Sequence, residues 1–194
     1  MTPIILDSVE PAIGAVIFLH GLGADGFDFK DIFTRPQFNK IRFILPHAPY
    51  QPITINQGYE MRAWYDLYDL SFENDEDELG MERSSLSINK LIEDQISFGI
   101  PSEKIIIGGF SQGAAMSFYL GLKYPKKLGG IAALSGYLPL KESLSDSIKS
   151  KLANMPIFMA HGLYDNVIDI QIADNSFKKL LKKLLKRYIT SVFR

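Results

Sequence analysis

The sequence predicts an α/β fold with a largely parallel central sheet and helices on both faces. Two observations carry that prediction. Short runs of strand length are apolar on both faces, as central strands of a covered sheet must be. Between them lie stretches with helical spacing, and strands alternating with helices favour parallel pairing. The first run is Ile13–Leu19 (IGAVIFL), and the second is Ile41–Leu45 (IRFIL). Leu86, Leu91, Ile92 and Ile96 then mark a helix, stopped by Gly99 and Pro101. A strand over Lys104–Gly108 (KIIIG) leads into a helix from Ser111 to Tyr124, ended by Pro125. Gly130–Leu134 (GIAAL) and Pro156–Ala160 (PIFMA) are two more strands. The final helical stretch holds a tandem KKLL repeat at 178–185, and Phe177, Leu181, Leu184 and Tyr188 can align as an apolar stripe. The acidic cluster Glu73–Glu78 (ENDEDE) breaks the pattern and reads as a solvated loop, with a cation site as the weaker alternative.

With 194 residues, 46% of them hydrophobic, the chain suits a single domain over 1–194. Such a domain buries roughly 70% of its unfolded surface and needs no disulfide or metal to hold a core. The absence of cysteine excludes disulfides, thiolate metal sites and a cysteine nucleophile. The formal charge of −1 hides an imbalance. Residues 1–177 carry 14 basic groups against all 22 acidic ones, a net of −8, whereas 178–194 carry seven basic groups and no acid. An acidic body repels a phosphate backbone, so nucleic acid is not an expected partner. The start of the chain holds Asp7, Glu10 and Pro11 and has no basic cluster, unlike a signal peptide. The apolar runs fall far short of the ~20 residues of a membrane span. A soluble, cytoplasmic protein is the expectation, without stable membrane insertion. The basic end, 178–194, is atypical for such a body. It reads as an amphipathic helix packed on the sheet, with weak association to a membrane surface as the alternative.

Gly109-Phe110-Ser111-Gln112-Gly113 follows a strand and opens a helix, the setting in which G-x-S-x-G is a nucleophile elbow. Its glycines are required because strand and helix press together at the turn. The helix N-terminus adds positive potential for an oxyanion. His20-Gly21-Leu22-Gly23 follows the strand Ile13–Leu19. In the α/β-hydrolase plan one oxyanion donor follows the nucleophile and the other comes from this loop, which assigns the backbone N–H groups of Gln112 and Leu22. Asp165 lies just past the strand Pro156–Ala160, where the acid of a Ser–His–Asp triad belongs.

These segments resemble the acyl-protein thioesterase and carboxylesterase family of α/β hydrolases. The matching stretches are AVIFLHGLGADG at 15–26, LPHAPYQPITINQG at 45–58, WYDL at 64–67, KIIIGGFSQGAAMSFYLGLKYPKKLGGIAALSGYLP at 104–139 and HGLYDNVI at 161–168. They run in family order. The resemblance implies hydrolysis of carboxylic esters or thioesters with no cofactor and no metal. It implies substrates such as small-molecule esters, lysolipids or acylated proteins, and places Met61 and Trp64 on the acyl-binding side.

The triad's general base is absent from these residues. In this fold the order is Ser, acid, His, yet His20, His47 and His161 all precede Asp165. The similarity fades near Phe177–Leu181, so the sequence predicts that the fold lacks its last strand and helix, with the end replaced from Lys178 and a sheet edge left bare. Two functions follow. One is a serine esterase or thioesterase working through Ser111, and the other is a catalytically inactive acyl-binding or decoy domain.

Overall fold

Every apolar run named above forms a strand, and the helices fall between them. The computed structural model describes residues 2–70, 76–140, 155–183 and 189–193, by backbone alone beyond Leu180. The strands are β1 (Ile4–Leu6), β2 (Gly14–Leu19), β3 (Ile41–Leu45), β4 (Tyr50–Ile53), β5 (Tyr59–Arg62), β6 (Ile105–Phe110), β7 (Gly130–Leu134), β8 (Ile157–His161) and β9 (Ile189–Phe193). The helices are α1 (Lys30–Phe33), α2 (Glu78–Ser97), α3 (Gln112–Lys123) and α4 (Ile170–Lys183). Seven strands make one sheet in the order β1-β3-β2-β6-β7-β8-β9, and β4 and β5 form a separate hairpin. Only β1 runs antiparallel to its neighbour, because every other connection in the main sheet is a crossover.

Alternation along β2 divides the core between the two faces of the sheet. Ala15, Ile17 and Leu19 join the larger cluster with Ile88 and Ile92 of α2 and Phe118 of α3. Phe18 lies in the second cluster, with Phe43 and Leu45 of β3 and Phe33 of α1 packed against it. Rings stack within it, Phe33 lying 4.3 Å from Phe43 between centroids.

The expected missing strand is present. β9 pairs in parallel with β8, from Ile157↔Ile189 to His161↔Phe193, and covers the edge that the sequence reading left bare. Helix α4 runs on through the first KKLL unit to Lys183, so the repeat continues a helix. Ala173, Ser176 and Leu180 of α4 are buried. That face of the helix is packed on protein, and Lys178 pairs with Asp174 at its surface; the packed-helix reading of 178–194 holds only as far as Lys183, because Ile189–Phe193 is a strand. Leu184 and Tyr188 lie outside the described residues.

The acidic cluster is more than a solvated loop where it is described. The Glu76 carboxylate accepts from the Leu140 N–H at 2.5 Å. Asp77 caps α2 by accepting from Gly80 N–H at 2.8 Å and also holds Asp66 N–H. Glu78 pairs with Lys123 of α3 at 2.9 Å. Residues 73–75 are outside the described stretches.

Candidate active site

Registers in the parallel sheet align the C-terminal ends of four strands. Leu19 pairs with Gly109, Phe110 with Leu134, and Leu134 with Ala160. The loops that follow β2, β6, β7 and β8 therefore gather at one edge, the usual place for a ligand in such a sheet.

Ser111 stands between β6 and α3 with φ +55° and ψ −119°, a conformation costing an L-residue about 1–3 kcal/mol. Backbone bonds on both sides hold it there: its N–H donates to the Leu134 carbonyl at 2.9 Å, and its carbonyl accepts from Ala114 N–H at 2.9 Å. The glycines leave room for this turn. A Cβ on Gly109 would lie 2.4 Å from the Gly113 carbonyl, and one on Gly113 would lie 2.1 Å from the Leu19 carbonyl oxygen. The loop after β2 rests against the elbow, since a Cβ on Gly21 would sit 3.4 Å from Ser111 Cβ and from the Phe110 ring.

Ser111, Gln112 and Leu22 line one cavity of roughly 530 Å³. Ile55, Leu67, Leu70, Val167 and Ile168 supply much of its apolar wall. Tyr65 and Tyr137 also reach it, their hydroxyls 3.0 Å apart. Burial pushes both phenols far above their ordinary range, so both stay protonated.

The Gln112 side chain ties the elbow to the segment after β5. Its Oε1 accepts from Trp64 N–H at 3.0 Å, and its Nε2 donates to the Tyr65 carbonyl at 2.8 Å. The Trp64 indole N–H in turn donates to the His20 carbonyl at 2.8 Å. His20 is buried; its Nε2 accepts from Ala48 N–H at 3.0 Å, which leaves Nδ1–H to donate to the Gly21 carbonyl at 2.7 Å. This clasp fixes the Gly21–Leu22 backbone against Ser111.

Burial lowers the His20 pKa from its ordinary 6.5, because charging the ring would desolvate a cation and remove the acceptor used by Ala48. The neutral ring thus favours the folded state. Its contribution is complete above pH 6.5 and is lost as pH falls through the depressed value. Thermal melts between pH 7 and 5 are expected to show a falling Tm, with a smaller fall in His20→Gln from a lower starting point. Parallel declines in the two proteins would contradict this.

Asp165 lies in the loop after β8. One carboxylate oxygen accepts from the N–H groups of Val167 and Ile168 at 2.9 and 3.0 Å, and the other is 3.5 Å from His161 Nε2. That nitrogen donates to the Ile168 carbonyl at 2.8 Å, so His161 braces the loop. Asp165 itself does not line the cavity, although its neighbours Val167 and Ile168 do.

The structure does not bring Met61 and Trp64 to the cavity wall. Trp64 is buried behind it, bonded to His20 and Gln112. The Met61 sulfur receives the Asn56 amide at 3.4 Å, and Asn56 is the residue that reaches the cavity. Sequence reasoning missed Tyr65 and Tyr137, each inside a quoted segment (WYDL and SGYLP), where only the fold shows which side chain turns inward.

All three histidines of the chain are engaged away from Ser111. His20 and His161 are bonded as described, and His47 Nδ1 accepts from Gly26 N–H at 3.1 Å. Among the described residues the Ser111 hydroxyl has no hydrogen-bond partner, and no cluster of three His, Cys, Asp or Glu could hold a metal. No helix among them is long and apolar enough to cross a membrane.

The profile of the phospholipase/carboxylesterase family matches residues 2–194. The chain belongs to that family. It is 38% identical over 180 residues to an acyl-protein thioesterase 1 of Schizosaccharomyces pombe, covering 91% of this chain and 80% of the relative. The thioesterase 1 of Aspergillus fumigatus is 39% identical over 187 residues, 92% of this chain and 78% of that protein. Among solved structures, Arabidopsis thaliana SOBER1 superposes with a TM-score of 0.78 at 28% identity, covering 93% of this chain and 87% of that one. Zea mays acyl-protein thioesterase 2 superposes with a TM-score of 0.88 at 24% identity, over 99% and 88% of the two chains, and shows the shared fold. Membership in this phospholipase/carboxylesterase family makes the protein an esterase- or thioesterase-type hydrolase with an α/β-hydrolase fold. The match through residue 194 agrees with β9 in extending the family's fold past the KKLL repeat.

Proposed function

We propose that this chain carries the acyl-transfer half of a serine hydrolase acting on carboxylic esters or thioesters, with Ser111 as nucleophile. The observation that carries the reading is Ser111 itself, held at φ +55° on a cavity wall with the Gly21–Leu22 loop against it. Such strain persists where the surroundings enforce it, and it lifts a hydroxyl clear of the sheet.

In the proposed reaction Ser111 Oγ bonds to the acyl carbon while its proton passes to a general base. The oxyanion lies between the N–H groups of Leu22 and Gln112. Its collapse breaks the bond to the alcohol or thiol, which takes the proton, and water releases the acid by the reverse sequence. Asp165 orients the imidazolium of that base. His20, His47 and His161 are bonded elsewhere, and the reading assigns none of them as that base. The relatives' names, acyl-protein thioesterase, favour acylated proteins as substrates, with lysolipids and small esters of the same chemistry. The apolar wall of Ile55, Leu67, Leu70, Val167 and Ile168 suits an acyl chain.

The engagement of every histidine elsewhere favours a second reading, an acyl-binding domain without turnover. A fluorophosphonate probe separates the two. Covalent labelling that disappears in Ser111→Ala, with an unchanged melting curve, is expected for the hydrolase. A folded chain that takes no label would leave the binding domain.

A further inference from the structure

The cavity lining falls into two chemically different groups of residues. In one, Ile55 and Leu67 lie side by side, Ile55 N–H donating to the Leu67 carbonyl at 2.9 Å, and Leu70 also lines the wall. In the other, Phe29 and Phe110 lie 5.8 Å apart between ring centroids, with Phe110 beside Gly21 and Ser111. Asp28, adjacent to Phe29, also lines the cavity and is the sole acidic or basic side chain among its described lining residues. Its carboxylate has no hydrogen bond or ion pair among the described residues. By contrast Asp25 is occupied, accepting from Phe27 N–H at 2.7 Å. Lys30, the one cation of the 25–31 loop, lies 6.0 Å from the centroid of the Phe27 ring.

An acyl chain gains nothing beside a carboxylate, because apolar contact there would strip water from a charge without replacing it. The apolar group therefore suits the acyl chain, which leaves the Asp28 side to the group across the scissile bond. We propose that Asp28, with the rings of Phe29 and Phe110, selects substrates whose leaving group carries a positive charge, a quaternary ammonium being the simplest. A cation placed there gains from the carboxylate and from the negative ring faces together, and Phe110 is 39% exposed and open to such contact. This assignment of the two groups rests on the nucleophile reading of Ser111. The preference of the cavity for a cation does not.

The test uses binding, so it needs no turnover. Two non-hydrolysable ligands of equal shape are titrated into the 194-residue chain by calorimetry: the butyl ether of choline, and the ether whose trimethylammonium is replaced by a tert-butyl group. The cation is expected to bind about three- to tenfold more tightly at low salt, the advantage shrinking in 0.5 M salt. Asp28→Asn is expected to bring the two ligands level and Asp28→Lys to reverse their order. Asp28 is exposed at the cavity mouth, so both variants are expected to keep the parent melting curve. Equal binding by the parent chain, binding of neither ligand, or a preference that survives Asp28→Asn overturns the proposal. A cation preference lost in Asp28→Asn, in a chain that takes no fluorophosphonate, would refute the nucleophile and leave the Asp28 site standing.

Discussion

Attaching a histidine-bearing loop to the end of β9 is expected to raise thioester hydrolysis by about 10⁴–10⁶-fold over the 194-residue chain. The size follows from what a base contributes to a serine triad: its loss costs roughly 10⁶ in turnover, and an oxyanion hole alone retains about 10³–10⁴ over water. The place follows from the sheet. β9 is parallel to β8 with Phe193 opposite His161, so residues after Phe193 emerge beside the loop that carries Asp165. Release of free thiol from a short-chain thioester measures the effect, with the same loop carrying alanine as control. Equal rates for the histidine and alanine loops, in chains with matching melts, would show that β9 does not deliver a base to Ser111.

Gly113→Ala is expected to destabilise the fold by at least about 3 kcal/mol, or to prevent folding. The new methyl would lie 2.1 Å from the Leu19 oxygen and 2.6 Å from the His20 oxygen, both backbone atoms held by the sheet and the His20 clasp. Overpacking of side chains costs 1–3 kcal/mol, and a backbone collision has fewer ways to relax. Out of a net stability of about 5–15 kcal/mol, that is a large share. Gly121→Ala, in the same helix, is the comparison. Its methyl would meet the Ile131 side chain at 2.7 Å, which can shift, and alanine favours a helix by about 1 kcal/mol. Urea denaturation of the two variants is expected to differ widely, and similar midpoints would contradict the steric account.

Burial on both faces made the central strands legible, because it leaves continuous apolar runs. β3 and β7 match their expected bounds, and β2 and β8 differ by one residue at their ends. β6 extends further than expected, to Phe110, since its pairing with β7 continues to Leu134 through residues read as the elbow. β1 and the β4–β5 hairpin were not legible: they are short, and their residues are largely half-exposed or exposed. β9 was hidden by its neighbour, because the lysine-rich helical repeat before it drew the whole terminus into one basic segment.

The elbow was readable because two glycines around a serine encode a steric demand in residue type. The cavity was not. Its wall comes from loops distant in sequence, and whether Trp64 or Tyr65 faces inward depends on the Gln112 and His20 bonds to that segment. Asp28 carried no signal at all, being one of several acidic residues on an acidic surface.

The pairing of Ala15 with Ile105 and of Leu19 with Gly109 has a consequence for how the protein comes into being. The strand before the oxyanion loop and the strand before the nucleophile lie on opposite sides of a long intervening chain. Closing so wide a loop is entropically slow, and a nascent chain leaves the ribosome N-terminus first. Until β6 emerges, the apolar edge of β2 has only β3 to shield it, and the Ser111 elbow against which the Gly21–Leu22 loop rests does not yet exist. When that central seam closes, both sides of the site arrive together. Birth of the binding cavity and commitment of the sheet are then one event, and a chain stalled before it exposes an unpaired apolar strand to its neighbours.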